Sequence, residues 1–491
     1  MSLHLPVLLV VVPLLAAPLA ALVRRPRLSW GVATAASWWA LYASISLLRR
    51  VLDTGTISYA LGGWVAPWGI EYRVDAVNGF VLVIVSAIGA VVAPYALRSV
   101  EREITRDRIP LFYTAFILCL TGMLGIAVTG DVFNVFVFLE ISSLSAYALI
   151  AMGSDRRALT ASYQYLIMGS VGATFIVIGI GLMYVMTGTL NMLDLAERLP
   201  AVMDTRTIPV AFAFLTVGFS LKLALFPLHL WLPNAYTYAP SSVSAFIAST
   251  ATKVAVYMML RFFFTVFGAT FAFDVMRLSW SFLPLAVIAI LSMSLVAIYQ
   301  DNGKRLLAYS SVAQIGYIVL GISLASVVGL TAGIIHLFNH ALMKGTLFMA
   351  MGAVMYRVGS VRIADMAGLG KQMPWTMAAF VAGGLSLIGV PLTVGFISKW
   401  YLVQAALAKG MWWVAAVVLV GSVMAVVYIW KVVETAYLRP PSDEVQVTEA
   451  PLGLLVPLWT MVLANLYFGV NAQLTSRVAT RAAEILLGVA P

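Results

Sequence analysis

Charge is scarce in this sequence. Only 10% of the 491 residues are Asp, Glu, Lys or Arg, against roughly 25% in an ordinary soluble domain. Cysteine is scarcer still: Cys119 stands alone inside an apolar run, which excludes a disulfide framework, a cysteine-held cluster and a cysteine zinc site within the chain. There is no GxxxxGK(S/T) loop to cradle nucleotide phosphates and no dinucleotide fingerprint. No cofactor, metal or redox centre of its own is therefore expected, and energy must come from an ion gradient or from a partner. The formal charge of +10 is spread over many short loops rather than gathered on one face. It reads as charge that orients membrane spans, not as a nucleic-acid surface.

What the chain has in excess is apolar sequence, 62% of its residues. A helix needs about 20 mostly apolar residues to cross the hydrocarbon layer. Runs of that kind fall at roughly 5–22, 28–48, 76–97, 110–128, 131–152, 161–188, 208–231, 241–268, 281–299, 306–325, 328–356, 374–402, 411–436 and 451–470. The expectation is an all-α polytopic membrane protein of about 14 spans with no separate soluble domain. Residues 5–22 are read as a first span rather than a secretory signal, because Arg24, Arg25 and Arg27 follow the run instead of preceding it. The loops after odd-numbered spans carry about 15 Lys and Arg against about 9 elsewhere, which puts both termini outside. The stretch 471–491 sets Arg477, Arg481 and Glu484 among apolar residues and is expected to lie along the surface as an amphipathic helix.

Two segments echo each other. GFSLKLALFPLHLWLP at 218–233 and GGLSLIGVPLTVGFISKW at 383–400 each carry a glycine, a Ser-Leu pair and a mid-span Pro-Leu, with a lysine nearby. Proline removes a backbone donor, so spans 7 and 12 are expected to be broken near the middle. Broken helices at matching places in two halves are a feature of transporters built from inverted repeats, with ion sites at the break. Membrane spans also tolerate proline widely, and coincidence is the competing explanation.

Titratable side chains inside the runs mark the chemistry. Glu140 lies well inside the fifth run, nine residues beyond Asp131. Lys222, Lys253, Lys344 and Lys399 fall in the seventh, eighth, eleventh and twelfth. A charge placed there costs several kcal/mol unless paired or hydrated. A structural ion pair competes for Glu140, and snorkelling to the surface competes for Lys399. Burial favours a neutral amine and a nearby carboxylate favours the ammonium, so moving Glu140 relative to Lys222 would load or unload a proton. His336, His340 and Lys344 recur at every fourth position and share one helical face, as a proton relay requires. Plain buried packing is the bland alternative. A metal or haem site is the other rival, but no third ligand lies close by in sequence. His229, beside Pro227, belongs either to the same polar axis or to the interface. Asp131, Asn134, Asp301, Lys304 and Arg305 read as helix caps and interfacial charges as readily as functional groups.

The segments GDVFNVFVFLEISSLSAYAL, KLALFPLHLWLPNAYTYAPSSVSAF, DNGKRLLAYSSVAQIGYIVLG, HLFNHALMKGTLF and GGLSLIGVPLTVGFISKW resemble, in order, the antiporter-like proton-conducting subunits of respiratory complex I and of Mrp multisubunit sodium/proton antiporters, over roughly residues 70–480. Within that family the chain looks most like the D-type subunit of the Mrp antiporters. The resemblance implies two inverted five-helix repeats: N-terminal helices at 1–109, repeats at 110–268 and 269–436, and a last helix with its tail at 437–491. It also implies proton-transfer roles for Glu140, Lys222, Lys253, His336, His340, Lys344 and Lys399. It further implies a subunit of a hetero-oligomeric cation/proton antiporter in a bacterial or archaeal plasma membrane, with sodium and protons as its ions. The alternative is a proton-pumping subunit of a quinone-linked dehydrogenase or a membrane-bound hydrogenase. A stand-alone solute carrier is disfavoured, because the buried polar residues are nearly all proton-active.

Overall fold

The computed structural model describes residues 4–441 and 447–489; residues 442–446 and the last two of the expected tail lie outside them. Its helices in chain order are α1 (Leu5–Val23), α2 (Pro26–Thr54), α3 (Ala76–Glu103), α4 (Ile109–Val128), α5 (Val132–Ala151), α6 (Arg157–Thr187), the short α7 (Met192–Arg198), α8 (Thr207–Leu223), α9 (Trp231–Tyr238), α10 (Ser241–Leu260), α11 (Leu278–Ile298), α12 (Gly303–Ser323), α13 (Val327–Val358), the one-turn α14 (Leu369–Gln372), α15 (Pro374–Ile388), α16 (Val394–Ala408), α17 (Trp412–Leu438), α18 (Leu452–Val470) and α19 (Gln473–Leu487). Among the described residues twelve helices are long and apolar enough to cross a membrane, α10 running on to Val266 through a π-helical turn. Two further crossings are each made of two half-helices, α8 with α9 and α15 with α16. The total of 14 and the broken seventh and twelfth spans are as the sequence predicts.

Both breaks have a local cause. α8 ends where Ala224 turns left-handed, φ 59°, three residues before Pro227. α15 ends on Gly389 at φ 92°, followed by Pro391 and by Leu392 at φ 71°. Left-handed residues stop an α-helix, and proline cannot restore the ladder.

Burial sorts the spans. The apolar windows of α10 and α12 are 94% buried and that of α1 only 33%, so α10, α12 and α13 form the middle of the bundle while α1, α2, α6, α11 and α17 turn one side outward. The packing order repeats: α4 on α5, α5 on α6 and α6 on α8 and α9, then α11 on α12, α12 on α13 and α13 on α15 and α16. α10 packs against α13 where the two sets meet.

The 49–75 loop contains structure that its composition hides. β1 (Ile57–Ala60) and β2 (Glu71–Val74) pair antiparallel, Ile57 opposite Val74. α19 is the expected tail helix, and its small-residue side, Thr475, Val478, Ala479, Ala482, Ala483 and Leu486, is buried where the helix packs on α13 and α3.

Candidate functional site

α5 starts on Asp131, whose side chain accepts a hydrogen bond from the Asn134 backbone at 2.7 Å, so Asp131 is the helix cap. Further along, Glu140 is half-buried, and its Oε1 is enclosed with no hydrogen-bond partner. One turn on, Ser143 accepts a 2.9 Å bond from Lys222 Nζ. Lys222 is buried in the last turn of α8, just before the break. A cavity of about 30 Å³ adjoins it, walled by Ser142, Ser143, Ala251 and Val254. That is room for a single water between α5, α8 and α10.

The centre of the bundle holds Lys253 on α10 and His336, His340 and Lys344 on α13, all fully buried. Lys253 Nζ donates to its own helix at Ala248 O, 2.5 Å. Lys344 Nζ donates across to α12, to Leu307 O at 2.9 Å and Ser310 Oγ at 2.5 Å. His336 is held from both sides, Nδ1 by Ser398 Oγ at 2.8 Å and Nε2 by Gln314 Oε1 at 3.0 Å. Its ring lies 6.2 Å from that of His340 and nearly parallel to it. Both ring nitrogens of His340 are enclosed without a protein partner. The two imidazoles are close enough that a proton on one repels a proton on the other, as passing charge along a row requires.

Lys399 closes the row. It is 6% exposed, so it does not snorkel. Its Nζ reaches back across the break to the last carbonyls of α15, Leu387 O at 3.0 Å and Ile388 O at 2.8 Å, and to Ser422 Oγ on α17 at 2.9 Å. The Tyr317 ring lies 5.0 Å away. Lys222 and Lys399 thus both sit at the carbonyl end of a first half-helix, Lys222 on its own helix and Lys399 from the opposite piece. A helix C-terminus carries about half a negative charge, which favours an ammonium.

Other singled-out residues have local tasks. His229 lies in the α8–α9 link, stacked on Phe226 with ring centroids 5.4 Å apart. Lys304 is buried and donates to Ala239 O at 3.1 Å, tying α12 to the end of α9. Asp301 pairs with Lys431 at 3.0 Å, and Asn302 caps α12. Sequence reasoning missed Ser143, Gln314, Ser398 and Ser422, which are polar but not titratable. It also missed the ion pair of Arg261 with Asp75, 2.5 Å apart and both under 10% exposed. Arg261 Nε donates to Tyr257 OH at 3.1 Å, and Lys253, Tyr257 and Arg261 stand at every fourth position of one helix face. Four-residue spacing from Lys253 was the available signal. The pair lines a cleft of about 430 Å³ below the hairpin, with Glu71, Asn78 and Leu486.

Some 14 crossings, two interrupted helices and a row of buried amines and imidazoles between them have the build of an ion-translocating membrane protein. Residues 129–425 match the family described as NADH:quinone oxidoreductase/Mrp antiporter, TM, and the chain belongs to it. It is 41% identical over 97% of its length, and 98% of the other's, to the N subunit of the NADH-quinone oxidoreductase of Desulforudis audaxviator. It is 29% identical over 98% of its length, and 97% of the other's, to the D subunit of the Na(+)/H(+) antiporter of Bacillus subtilis. Among solved structures, a chain of the Mrp complex from Dietzia sp. DQ12-45-1b superposes with a TM-score of 0.90 at 28% identity, covering 99% of this chain and 97% of that one. A chain of the archaeal membrane-bound sulfane sulfur reductase gives 0.89 at 30% identity, covering 99% of this chain and 98% of that one.

Proposed function

We propose that this chain is the proton-translocating membrane subunit of a multisubunit monovalent cation (sodium)/proton antiporter. Protons pass from Glu140 and Lys222 through Lys253, His340, Lys344 and His336 to Lys399. The observation that carries the reading is His336, clamped between Gln314 on α12 and Ser398 on α16 while its neighbour His340 has two enclosed nitrogens free to take a partner. Packing alone gives no reason for that pair. In this reading residues 110–268 and 269–436 are inverted repeats, one break to each, in a bacterial or archaeal plasma membrane with both termini outside. Net cation extrusion against 100 mV costs about 2.3 kcal/mol per charge, so entering protons must drive it. Other membrane subunits complete the machine.

A second reading is favoured by the 41% identity to the N subunit of an NADH-quinone oxidoreductase. There the same row pumps protons for a respiratory complex whose redox centres lie elsewhere. Inverted vesicles carrying the native complex decide between them. Under the first reading sodium triggers a pH change that Glu140→Ala and Lys222→Ala abolish at matched expression. If sodium does nothing and electron transfer drives pumping that both variants abolish, the antiporter reading fails and the respiratory one stands.

A further inference from the structure

Arginine crowds two neighbouring links, with Arg24, Arg25 and Arg27 between α1 and α2 and Arg98, Arg102, Arg106 and Arg108 at the passage from α3 to α4. Arg25, Arg27 and Arg106 line a single basin of about 830 Å³. The one carboxylate there, Glu101, is engaged by Arg98 at 3.5 Å. The ion pairs among the described residues leave Arg25, Arg27 and Arg106 without a carboxylate.

Two further features converge on the basin. α2 and α4 both begin there, each with a proline in its first turn and no side-chain cap, so free backbone N–H groups add positive potential. Apolar surface adjoins it: Leu28, in its wall, is 52% exposed, and Leu22 and Leu111, a few residues along the chain from lining residues, are 77% and 55% exposed. Orienting the spans requires basic residues on this side of the bundle. It does not require three unpaired guanidinium groups to meet in one hollow beside exposed leucines. A ligand matching both parts has phosphate at one end and hydrocarbon at the other.

We propose that this basin binds an anionic phospholipid, phosphate against Arg25, Arg27 and Arg106 and acyl chains along the exposed leucines of α1, α2 and α4. Three unpaired guanidinium groups exceed what one phosphate neutralises, so a lipid with two phosphates, cardiolipin in type, is preferred over one with a single phosphate. Planar guanidinium groups suit phosphate oxygens in forked pairs.

The test uses the intact native complex, purified and stripped of lipid, then titrated with cardiolipin, phosphatidylglycerol, phosphatidylethanolamine or inorganic phosphate while bound lipid is followed by native mass spectrometry. Cardiolipin should bind tightest, phosphatidylethanolamine poorly, and phosphate should not displace it. Each basic side chain near an anionic surface is worth about 1 kcal/mol, so Arg27→Gln with Arg106→Gln should weaken cardiolipin about 30-fold, while Arg27→Lys with Arg106→Lys keeps most of the binding. Equal binding of phosphatidylethanolamine or displacement by phosphate overturns the proposal on the wild-type complex alone. Undiminished cardiolipin binding by the glutamine variant overturns it too. So does cross-linking of Arg106→Cys, in a Cys119→Ser background, to a neighbouring subunit in native membranes, which would make the basin a protein interface.

Discussion

Arg261 and Asp75 stand 186 residues apart in sequence and 2.5 Å apart in the fold, tying the end of α10 to the cap of α3. Asp75 also accepts from the Val77 and Asn78 backbone, so one oxygen, Oδ1, receives the guanidinium and both cap bonds together. Removing one partner of a buried pair strands the other charge and costs about 3–5 kcal/mol. Asp75→Ala or Arg261→Ala should therefore lower the thermal midpoint of the solubilised complex sharply, and Asp75→Leu with Arg261→Met should recover much of the loss. A double variant no better than the single ones would show that the pair's worth lies in its charge.

The two histidines should separate stability from transport. His336 has both nitrogens bonded, so His336→Leu strands Gln314, leaves Ser398 only its 3.3 Å bond to Gly395 O, and should harm folding and transport together, at about 1–3 kcal/mol for an unpaired buried group. His340 has no protein partner to strand. His340→Leu should fold at least as well as wild type and still fail to transport, checked by unfolding temperature and vesicle assay side by side.

Lys222 leans on one hydroxyl, Ser143. A hydrogen bond to a charged group is worth about 1.5–3 kcal/mol. Ser143→Ala should slow proton movement roughly tenfold or more yet leave a measurable rate, whereas Lys222→Ala should leave none. Equal rates for Ser143→Ala and wild type would remove Ser143 from the path.

Gly395 lets α16 approach the end of α15. A Cβ there would lie 1.7 Å from Ser386 O, a backbone atom that cannot swing aside. Gly395→Ala should force the half-helices apart and reduce the yield of assembled complex. Gly181 on α6, with nothing within 4 Å of an added Cβ, is the control, and Gly181→Ala should be neutral or gain up to about 1 kcal/mol.

Much of this architecture was legible because hydrocarbon is an unforgiving solvent. It forces apolar runs to be long, makes mid-span prolines such as Pro227 and Pro391 conspicuous, and makes Glu140 or Lys344 stand out by charge alone. The serines and the glutamine that hold those charges did not stand out, because a Ser143 or Ser398 is unremarkable in any span until a partner from another helix arrives. Arg261, inside the run at 241–268, has no charged partner near it in sequence, and only the fold brings Asp75 to it. The hairpin at 57–74 was hidden by its brevity, four residues a strand, too short for alternation to register.

The interrupted helices have one more consequence. Lys399 is held mainly by Leu387 O and Ile388 O, and Lys222 rides on the end of its own half-helix. These are electrical terminals made of main chain, and no change of side chain at 387 or 388 can delete a carbonyl. A lineage could therefore redraw the residues around each lysine, and even alter which ion the complex trades, while the two fixed poles that receive the charge stay where the breaks put them.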